Sequence, residues 1–254
     1  MSGTARTALI TGAGSERGIG RETARTLAAA GFHIAVLDVD AAAAERTAAL
    51  ISEEHGVQAL GVQADVTDKS SVDRAVSEVE SSALPEPAVL VNNAGITRPT
   101  RFLDIEQDEW ELVFNVNVTG TYLVTRRVLP GLIERGYGRI VNVSSVSAQR
   151  GGGVFGGSHY SAAKAAVLGL TKALAREVGE HGVVVNAVAP GLIDTDITGG
   201  LLSGERKEQI ISGVPVGRNG RTSDVAATIA FLAGESVGYI TGATFDINGG
   251  SHIN

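Results

Sequence analysis

Residues 7–20 read TALITGAGSERGIG, an apolar β-branched run that enters a turn with four glycines. An alanine-rich stretch with helical spacing follows over 21–30. Glycines between a strand and a helix expose backbone N–H groups, and the helix dipole favours a pyrophosphate at that point. The strict pattern Gly-x-Gly-x-x-Gly would need glycine where Arg17 stands. The stretch therefore predicts either a dinucleotide site or a tight turn without a ligand.

Strand-like and helix-like segments alternate along the rest of the chain. Further apolar runs are 34–37, 89–91, 140–143, 183–188 and 244–247, with 57–64 as a weaker candidate. Helical spacing is found over 41–54, 70–81, 106–134, 160–180 and 224–233. Continuous apolar strands separated by helices are typical of a parallel sheet covered on both faces. The sequence therefore predicts an α/β fold of three layers.

Composition narrows the possible functions. The 254 residues carry a formal net charge of −7 without any basic run, which argues against nucleic acid as a partner. There is no cysteine, and the five histidines show no metal-binding spacing. No apolar run reaches the roughly 18 residues that cross a bilayer. Residues 1–6 lack a secretory core, so we expect a cytoplasmic protein with no membrane partner. Without linkers or repeats, 1–254 is predicted to be a single domain.

Asp38 closes the second predicted strand, about 20 residues after the glycine turn, where dinucleotide-binding folds place an acidic residue. Its carboxylate could accept both adenosine ribose hydroxyls and would repel a 2′-phosphate. The competing interpretation is a helix N-cap, which is a common role for Asp after a strand. Asp40 could equally be that cap.

Three further motifs follow predicted strands or open a helix. They are Asn92-Asn93-Ala94-Gly95, Ser144-Ser145 and Tyr160-Ser161-Ala162-Ala163-Lys164. Together with the glycine turn, these motifs closely resemble the short-chain dehydrogenase/reductase family, over nearly the whole chain. Within its single-domain branch, the sequence is most similar to β-ketoacyl carrier-protein reductases and to sugar and polyol dehydrogenases. The resemblance implies a Rossmann fold with a seven-stranded sheet in the order 3-2-1-4-5-6-7.

Tyr160 and Lys164 are four residues apart and so share one helix face. A free tyrosine has a pKa near ~10, and a nearby ammonium favours the phenolate, so Tyr160 could exchange a proton with an alcohol. Ser145 is expected to hydrogen-bond the substrate oxygen. The resemblance implies that Lys164 also binds the nicotinamide ribose and that Asn117 supports a water relay. Tyr160, Lys164, Ser145 and Asn117 are thus the predicted catalytic residues.

The remaining cofactor contacts come from the resemblance. For Asp65, which would contact adenine beside Val66, a strand-end cap is the competing interpretation. Asn92 is interpreted as structural. The predicted cofactor-binding residues are Gly12, Ser15, Arg17, Gly18, Ile19, Gly20, Asp38, Asp65, Val66, Asn93, Gly95, Tyr160, Lys164, Pro190, Gly191, Ile193 and Thr195.

The glycine turn departs from the family pattern. Gly12 and Gly18 have five residues between them, where the family commonly has three. Arg17 occupies a position where relatives that prefer NADP often carry a basic residue, whereas Asp38 indicates NAD. We give Asp38 more weight, because a carboxylate facing a phosphate is directly repulsive, while Arg17 could pair with a phosphate or with a nearby carboxylate. NAD is the predicted cofactor, with NADP as the alternative.

The substrate is expected beside the glycine-rich loop that precedes Tyr160. Gln149, Arg150 and Phe155 are its candidate contacts, with a flexible loop as the alternative interpretation. A substrate lid is predicted around 195–211, with hinges at Gly199, Gly200 and Gly204.

The predicted function is hydride transfer between a nicotinamide and a secondary alcohol or ketone, as in an alcohol, sugar or polyol dehydrogenase. The alternatives are a 3-oxoacyl carrier-protein reductase and a non-catalytic dinucleotide-sensing scaffold. Enoyl reductases of this family are disfavoured, because their Tyr and Lys are about two helical turns apart. The apolar helices 106–134 and 160–180, together with the resemblance, predict a homo-oligomer, specifically a homotetramer.

Overall fold

The computed structural model describes residues 5–152, 156–196 and 205–253 of the chain. Its seven strands are β1 (Thr7–Thr11), β2 (His33–Asp38), β3 (Ala59–Gln63), β4 (Pro87–Asn92), β5 (Gly138–Val143), β6 (Val183–Pro190) and β7 (Thr244–Ile247). They form one parallel sheet in the order β3-β2-β1-β4-β5-β6-β7. The predicted Rossmann fold and strand order are confirmed, and the weak candidate at 57–64 is β3.

Helices connect successive strands. They are α1 (Ile19–Ala29), α2 (Ala41–His55), α3 (Lys69–Ser81), α4 (Gln107–Phe114), α5 (Gly120–Glu134), α6 (Ser147–Arg150), α7 (Ser158–Val178), α8 (Glu205–Ser212) and α9 (Thr222–Ala233). The predicted helix over 106–134 is divided by a π-helical turn, Asn115–Thr119, between α4 and α5. No helix in the described ranges is long and apolar enough to cross a membrane.

The core lies on both faces of the sheet because neighbouring residues of a strand point to opposite sides. In β1, Ile10 packs with α1, α2 and α9, whereas Leu9 packs with α3, α5 and α7. Both side chains are fully buried. Strands covered on both faces have no polar side, which explains their continuous apolar sequences.

Adjacent strands β1 and β4 mark the point where the strand order reverses. Here the Thr11 hydroxyl accepts hydrogen bonds from the backbone N–H groups of Asn93 and Ala94, each at 3.0 Å. The Asn93 amide donates back to the carbonyls of Thr11 (2.9 Å) and Gly12 (2.8 Å). Ligands of open α/β sheets bind at such a reversal, beyond the carboxyl ends of the strands.

Candidate functional site

A cavity of about 880 Å³ runs along the carboxyl ends of the strands. This volume falls within the range of roughly 300–1,000 Å³ that is usual for small-molecule sites. Many residues that sequence reasoning selected for a cofactor line it: Gly12, Ser15, Gly18, Ile19, Asp38, Asp65, Val66, Asn93, Gly95, Tyr160, Lys164, Pro190, Gly191, Ile193 and Thr195. Arg17 and Gly20 are absent from that lining.

The glycine turn is packed too closely for side chains. Gly12 has φ +64°, and a Cβ there would lie 2.7 Å from the Ala94 Cα. A Cβ on Gly20 would lie 2.5 Å from the Asn93 amide nitrogen. Gly20 therefore lets α1 approach β4, and its role is packing rather than lining the cavity.

Asp38 lies at the end of the cavity that is formed by β2 and β3. Its carboxylate accepts hydrogen bonds from the backbone N–H groups of Gly14 (2.8 Å) and Asp40 (3.1 Å). Asp40 is the N-cap of α2, since its side chain accepts from the Ala43 N–H at 3.1 Å. The helix N-cap is therefore Asp40, and Asp38 instead faces the cavity.

Asp65 has the strand-end contacts of a cap and also lies at the cavity. One carboxylate oxygen accepts from the N–H (2.9 Å) and the hydroxyl (2.7 Å) of Thr67, which closes the turn after β3. Asp65 also lines the cavity beside Val66. With Asp38, it makes this end of the cavity acidic.

Arg17 is engaged on the opposite wall of the cleft. Its guanidinium donates to Asp194 at 2.7 Å and lies 3.9 Å from the carboxylate of Asp196. Of the two partners considered for Arg17, a phosphate and a nearby carboxylate, the structure shows the carboxylate.

Tyr160, Ser145 and Lys164 converge at the other end of the cavity. Burial raises the pKa of the Tyr160 hydroxyl above its usual value, while its hydrogen bond with Ser145 acts in the opposite direction. The Lys164 ammonium lies 5.8 Å from the centre of the Tyr160 ring. Burial lowers the pKa of Lys164 to about 8, because desolvation disfavours the charged amine.

Backbone contacts fix the direction of Lys164. Its Nζ donates to the Val143 carbonyl at 2.8 Å, and the Ser144 hydroxyl donates to the Lys164 carbonyl at 2.8 Å. Sequence reasoning did not select Ser144, although its place in the Ser144-Ser145 pair at the end of β5 could have pointed to it. Sequence reasoning also did not select Thr11, although it directly precedes Gly12 of the glycine turn.

Asn117 lies in the π-helical turn and is fully buried. Its side-chain amide donates to the carbonyls of Ile96 (3.0 Å) and Val113 (2.9 Å). Its Oδ1 is a buried acceptor without a hydrogen-bond partner in the described ranges. A Cβ on Gly95 would lie 2.7 Å from that oxygen and 3.2 Å from Lys164 Nζ. Gly95 thus leaves space for a ligand or water between the two polar groups.

The described residues fit an extended dinucleotide. The glycine turn supplies N–H donors in the middle of the cleft, and the carboxylates of Asp38 and Asp65 can accept hydroxyl groups at one end. At the other end, Lys164 can donate to a second ribose beside Tyr160. The space beside Gly95 lies next to Asn117 Oδ1 and Lys164 Nζ, and it is too narrow for a larger side chain at position 95.

The substrate candidates differ in position. Arg150, at the end of α6, lines the cavity with an exposed side chain. Gln149 does not line it, because its amide donates to Asp246 at 2.7 Å. Phe155 lies outside the described residues, as do the hinge candidates Gly199, Gly200 and Gly204.

Comparisons with known proteins identify the family of the chain. A family model described as enoyl-(acyl carrier protein) reductase matches residues 12–252. A short-chain type dehydrogenase/reductase from Sinorhizobium fredii is 48% identical over 250 residues, covering 98% of both chains. A 3-oxoacyl-[acyl-carrier-protein] reductase from Aquifex aeolicus is 41% identical and covered over 96% of both chains.

A solved structure has the same architecture. A provisionally named gluconate dehydrogenase from Agrobacterium tumefaciens superposes with a TM-score of 0.90 at 30% identity, over 97% of this chain and 95% of the other. The fold and the full-length similarity to these relatives agree. The chain belongs to the short-chain dehydrogenase/reductase family and is an oxidoreductase acting on CH–OH or carbonyl groups.

Proposed function

We propose that the chain transfers hydride between the C4 atom of a nicotinamide and the carbon of a secondary alcohol or ketone. The observation that carries this proposal is the convergence of Tyr160, Ser145 and Lys164 at one end of a cleft with a glycine turn at its centre. The nicotinamide, when bound, supplies or accepts the hydride at C4. The chain must therefore orient the substrate and exchange one proton.

Tyr160 is the proposed acid and base, with its hydroxyl as the atom that holds the proton. Ser145 positions the substrate oxygen beside that hydroxyl and stabilises developing negative charge on it. The Lys164 ammonium favours the phenolate electrostatically. Asn117, whose Oδ1 lies on the same side of Gly95 as Lys164 Nζ, would carry the proton onward through water.

A non-catalytic dinucleotide sensor is the proposal from another functional class. It is disfavoured because a sensor has no need of a tyrosine, a serine and a lysine converging on one point. The presence of all three supports an enzyme.

We propose NAD as the preferred cofactor. Asp38 faces the cavity with a carboxylate that would repel a 2′-phosphate, and Asp65 adds negative charge nearby. Arg17, the cation that could favour NADP, is engaged by Asp194 and Asp196. The alternative, NADP, would require Arg17 to leave both carboxylates.

The substrate end of the cavity is mainly apolar. Among the described residues, its lining includes Val146, Leu192, Ile210 and Val214, with Arg150 as a charged group. The hydroxyl groups of Ser147 and Ser251 also line the cavity. Because the apolar side chains favour an apolar part of the ligand, we favour a secondary alcohol or ketone with such a part.

Two other substrate classes have specific support. The relatives named as 3-oxoacyl-[acyl-carrier-protein] reductases favour a 3-oxoacyl thioester, and the structural neighbour favours a sugar acid. The family model's description names enoyl reduction, but the four-residue spacing of Tyr160 and Lys164 speaks against that reaction here.

A test of these proposals follows absorbance of the reduced nicotinamide against a substrate panel, with NAD⁺ and NADP⁺ run in parallel. The panel holds secondary alcohols, polyols and sugar acids for oxidation, and acetoacetyl thioesters and simple ketones for reduction. Turnover of secondary alcohols with NAD⁺ is the expected result. Thioester reduction by NADPH would favour the alternative, and inactivity throughout with intact cofactor binding would favour the sensor.

We further propose a single catalytic domain over 1–254 with a substrate lid around 195–211. The proposed lid is supported by three residues in and just after α8 that line the cavity, Ile210, Gly213 and Val214. Residues 197–204 lie outside the described ranges. The predicted cytoplasmic location stays a prediction.

A homotetramer is proposed from exposed apolar side chains in two parts of the sequence. The segment before α4 and the helices α4 and α5 expose Phe102, Leu103, Trp110, Leu112 and Tyr122. The segment from α8 to the C-terminal residues exposes Val216, Phe231, Tyr239 and Ile253. Light scattering after size-exclusion chromatography tests this proposal: a mass of four chains supports it, and a monomer contradicts it.

A further inference from the structure

The lengthened glycine turn contacts the segment after β6 across the cleft. The Ser15 hydroxyl donates to the Asp196 carboxylate at 3.0 Å, and the Arg17 backbone N–H donates to the same oxygen at 3.1 Å. The Arg17 guanidinium donates to Asp194 at 2.7 Å. These residues are more than 170 positions apart in sequence, so the contacts join two separate walls of the cleft.

The donors in this contact are of the kind that binds anions. Ser15 and Arg17 lie in the turn before Gly18, the N-cap of α1, which has no side-chain capping bond. Backbone N–H and hydroxyl groups at such a position attract negative charge, as does the positive end of the helix dipole. In the ligand-free chain this negative charge is the carboxylate of Asp196.

We propose that Asp196 is an internal competitor of the cofactor's pyrophosphate. Its carboxylate satisfies the donors of Ser15 and Arg17 in the free enzyme, and binding of the dinucleotide requires that it leave them. Asp194 strengthens the contact by holding the Arg17 side chain on the same wall. The inference rests on the dinucleotide site proposed above and assigns to Asp196 control over cofactor affinity.

The contact is suited to reversible opening because its members are exposed. The side chains of Arg17 and Asp196 are 62% and 49% exposed, and ion pairs between exposed groups are weak. A ligand that binds only the open form has an apparent affinity reduced by the fraction of molecules that are open. Removing the competing charge should therefore tighten binding by about threefold to tenfold.

The experiment titrates the ligand-free full-length chain with ADP-ribose and with adenosine by calorimetry, comparing wild type with Asp196→Asn and Asp196→Ala. ADP-ribose should bind both variants about threefold to tenfold more tightly than wild type. Adenosine lacks the pyrophosphate, so its affinity should not change. Asp73→Asn is the matched control: it removes one surface carboxylate, which pairs with Lys69 on α3, and should leave both affinities unchanged.

An unchanged or weakened affinity for ADP-ribose in folded variants would overturn the inference. If wild type fails to bind ADP-ribose at all, the proposed function itself is wrong, so the two failures are distinguishable.

Discussion

His159, the residue before the proposed acid-base tyrosine, contacts Glu109, with 3.0 Å between His159 Nε2 and Glu109 Oε1. His159 is fully buried and does not line the cavity. The pair joins the first turn of α4 to the first turn of α7. Its position favours a structural role in holding the helix that carries Tyr160.

The first prediction concerns this pair. Replacing Glu109 by Ala should lower Tm by several degrees, because it removes the carboxylate that lies 3.0 Å from the fully buried His159 ring and leaves a space beside that ring. Calorimetry measures the change. Glu106→Ala, just before α4, is the control and should change Tm by less than about one degree. Equal changes in the two variants would contradict the buried contact.

The second prediction concerns the Tyr160 hydroxyl. Tyr160→Phe should lower kcat by about 10²–10⁴-fold, because the proton donor and acceptor is removed. NADH should still bind, because the glycine turn and the other predicted cofactor contacts are unchanged. Tyr137→Phe is the matched control, since the Tyr137 hydroxyl has no hydrogen-bond partner in the described ranges. Comparable losses in both variants would mean that Tyr160 does not carry the chemistry.

The third prediction is that the rates of alcohol oxidation and carbonyl reduction change with pH in opposite directions. Oxidation needs the Tyr160 phenolate, and burial raises the pKa of this group, so the oxidation rate should increase from neutral to alkaline pH. Reduction needs the neutral phenol, so its rate should fall at alkaline pH. Lys164, with its pKa lowered to about 8, loses the charge that favours the phenolate above that pH, which makes the rise in oxidation less steep.

Profiles of kcat/KM against pH in both directions check this prediction. An oxidation rate that falls between neutral pH and the pKa of Lys164 would contradict the assignment of Tyr160 as the base. Lys164→Met should move the rise in oxidation to higher pH, because the ammonium no longer favours the phenolate.

The fourth prediction concerns cofactor choice. Asp38→Asn should raise kcat/KM for NADP⁺ relative to NAD⁺ by about tenfold or more, a change that corresponds to roughly 1.4 kcal/mol. Asparagine keeps an acceptor for the Gly14 N–H and removes only the charge. Asp40→Asn has the same charge change two residues away and retains an effective N-cap, so its cofactor ratio should equal that of wild type. A wild-type preference for NADP⁺ would refute the role of Asp38.

The fifth prediction concerns the space beside Gly95. Gly95→Ala should reduce activity by at least about tenfold, because the new methyl group meets Asn117 Oδ1 at 2.7 Å and Lys164 Nζ at 3.2 Å. The Asn117 side chain is held by the bonds of its Nδ2 to Ile96 and Val113, and Lys164 Nζ is held by the Val143 carbonyl. Both side chains are buried, so neither can yield freely. Gly179→Ala adds a methyl group with no atom within 4 Å and should leave the rate unchanged. Steady-state kinetics of both variants decides the matter.

The sheet could be predicted from the sequence because each buried strand is a continuous apolar run, of which Val183–Pro190 is the longest. The division of 106–134 could not. The π-helical turn at Asn115–Thr119 accompanies a bond from Asn117 to the Ile96 carbonyl, and such a long-range contact has no local pattern. Helical spacing alone favours one continuous helix.

In the candidate site, too, some features follow from local sequence and others depend on residues far apart in the chain. Tyr160 and Lys164 were predictable because four residues on one helix fix their common face. The partners of Arg17 were not, because Asp194 lies 177 positions further along the chain. Gln149 was expected near the substrate, yet its amide is held by Asp246 of β7, the last strand in the sequence.

The Thr11–Asn93 contact has a consequence for folding kinetics. It joins residues 82 positions apart, and it forms only after β4 has docked beside β1. Pairings of such high contact order close slowly, because the intervening chain loses its freedom before the contact stabilises it. Nascent chains that end before β4 therefore lack the crevice altogether. A dinucleotide would stabilise the folded state by mass action but could not template its formation.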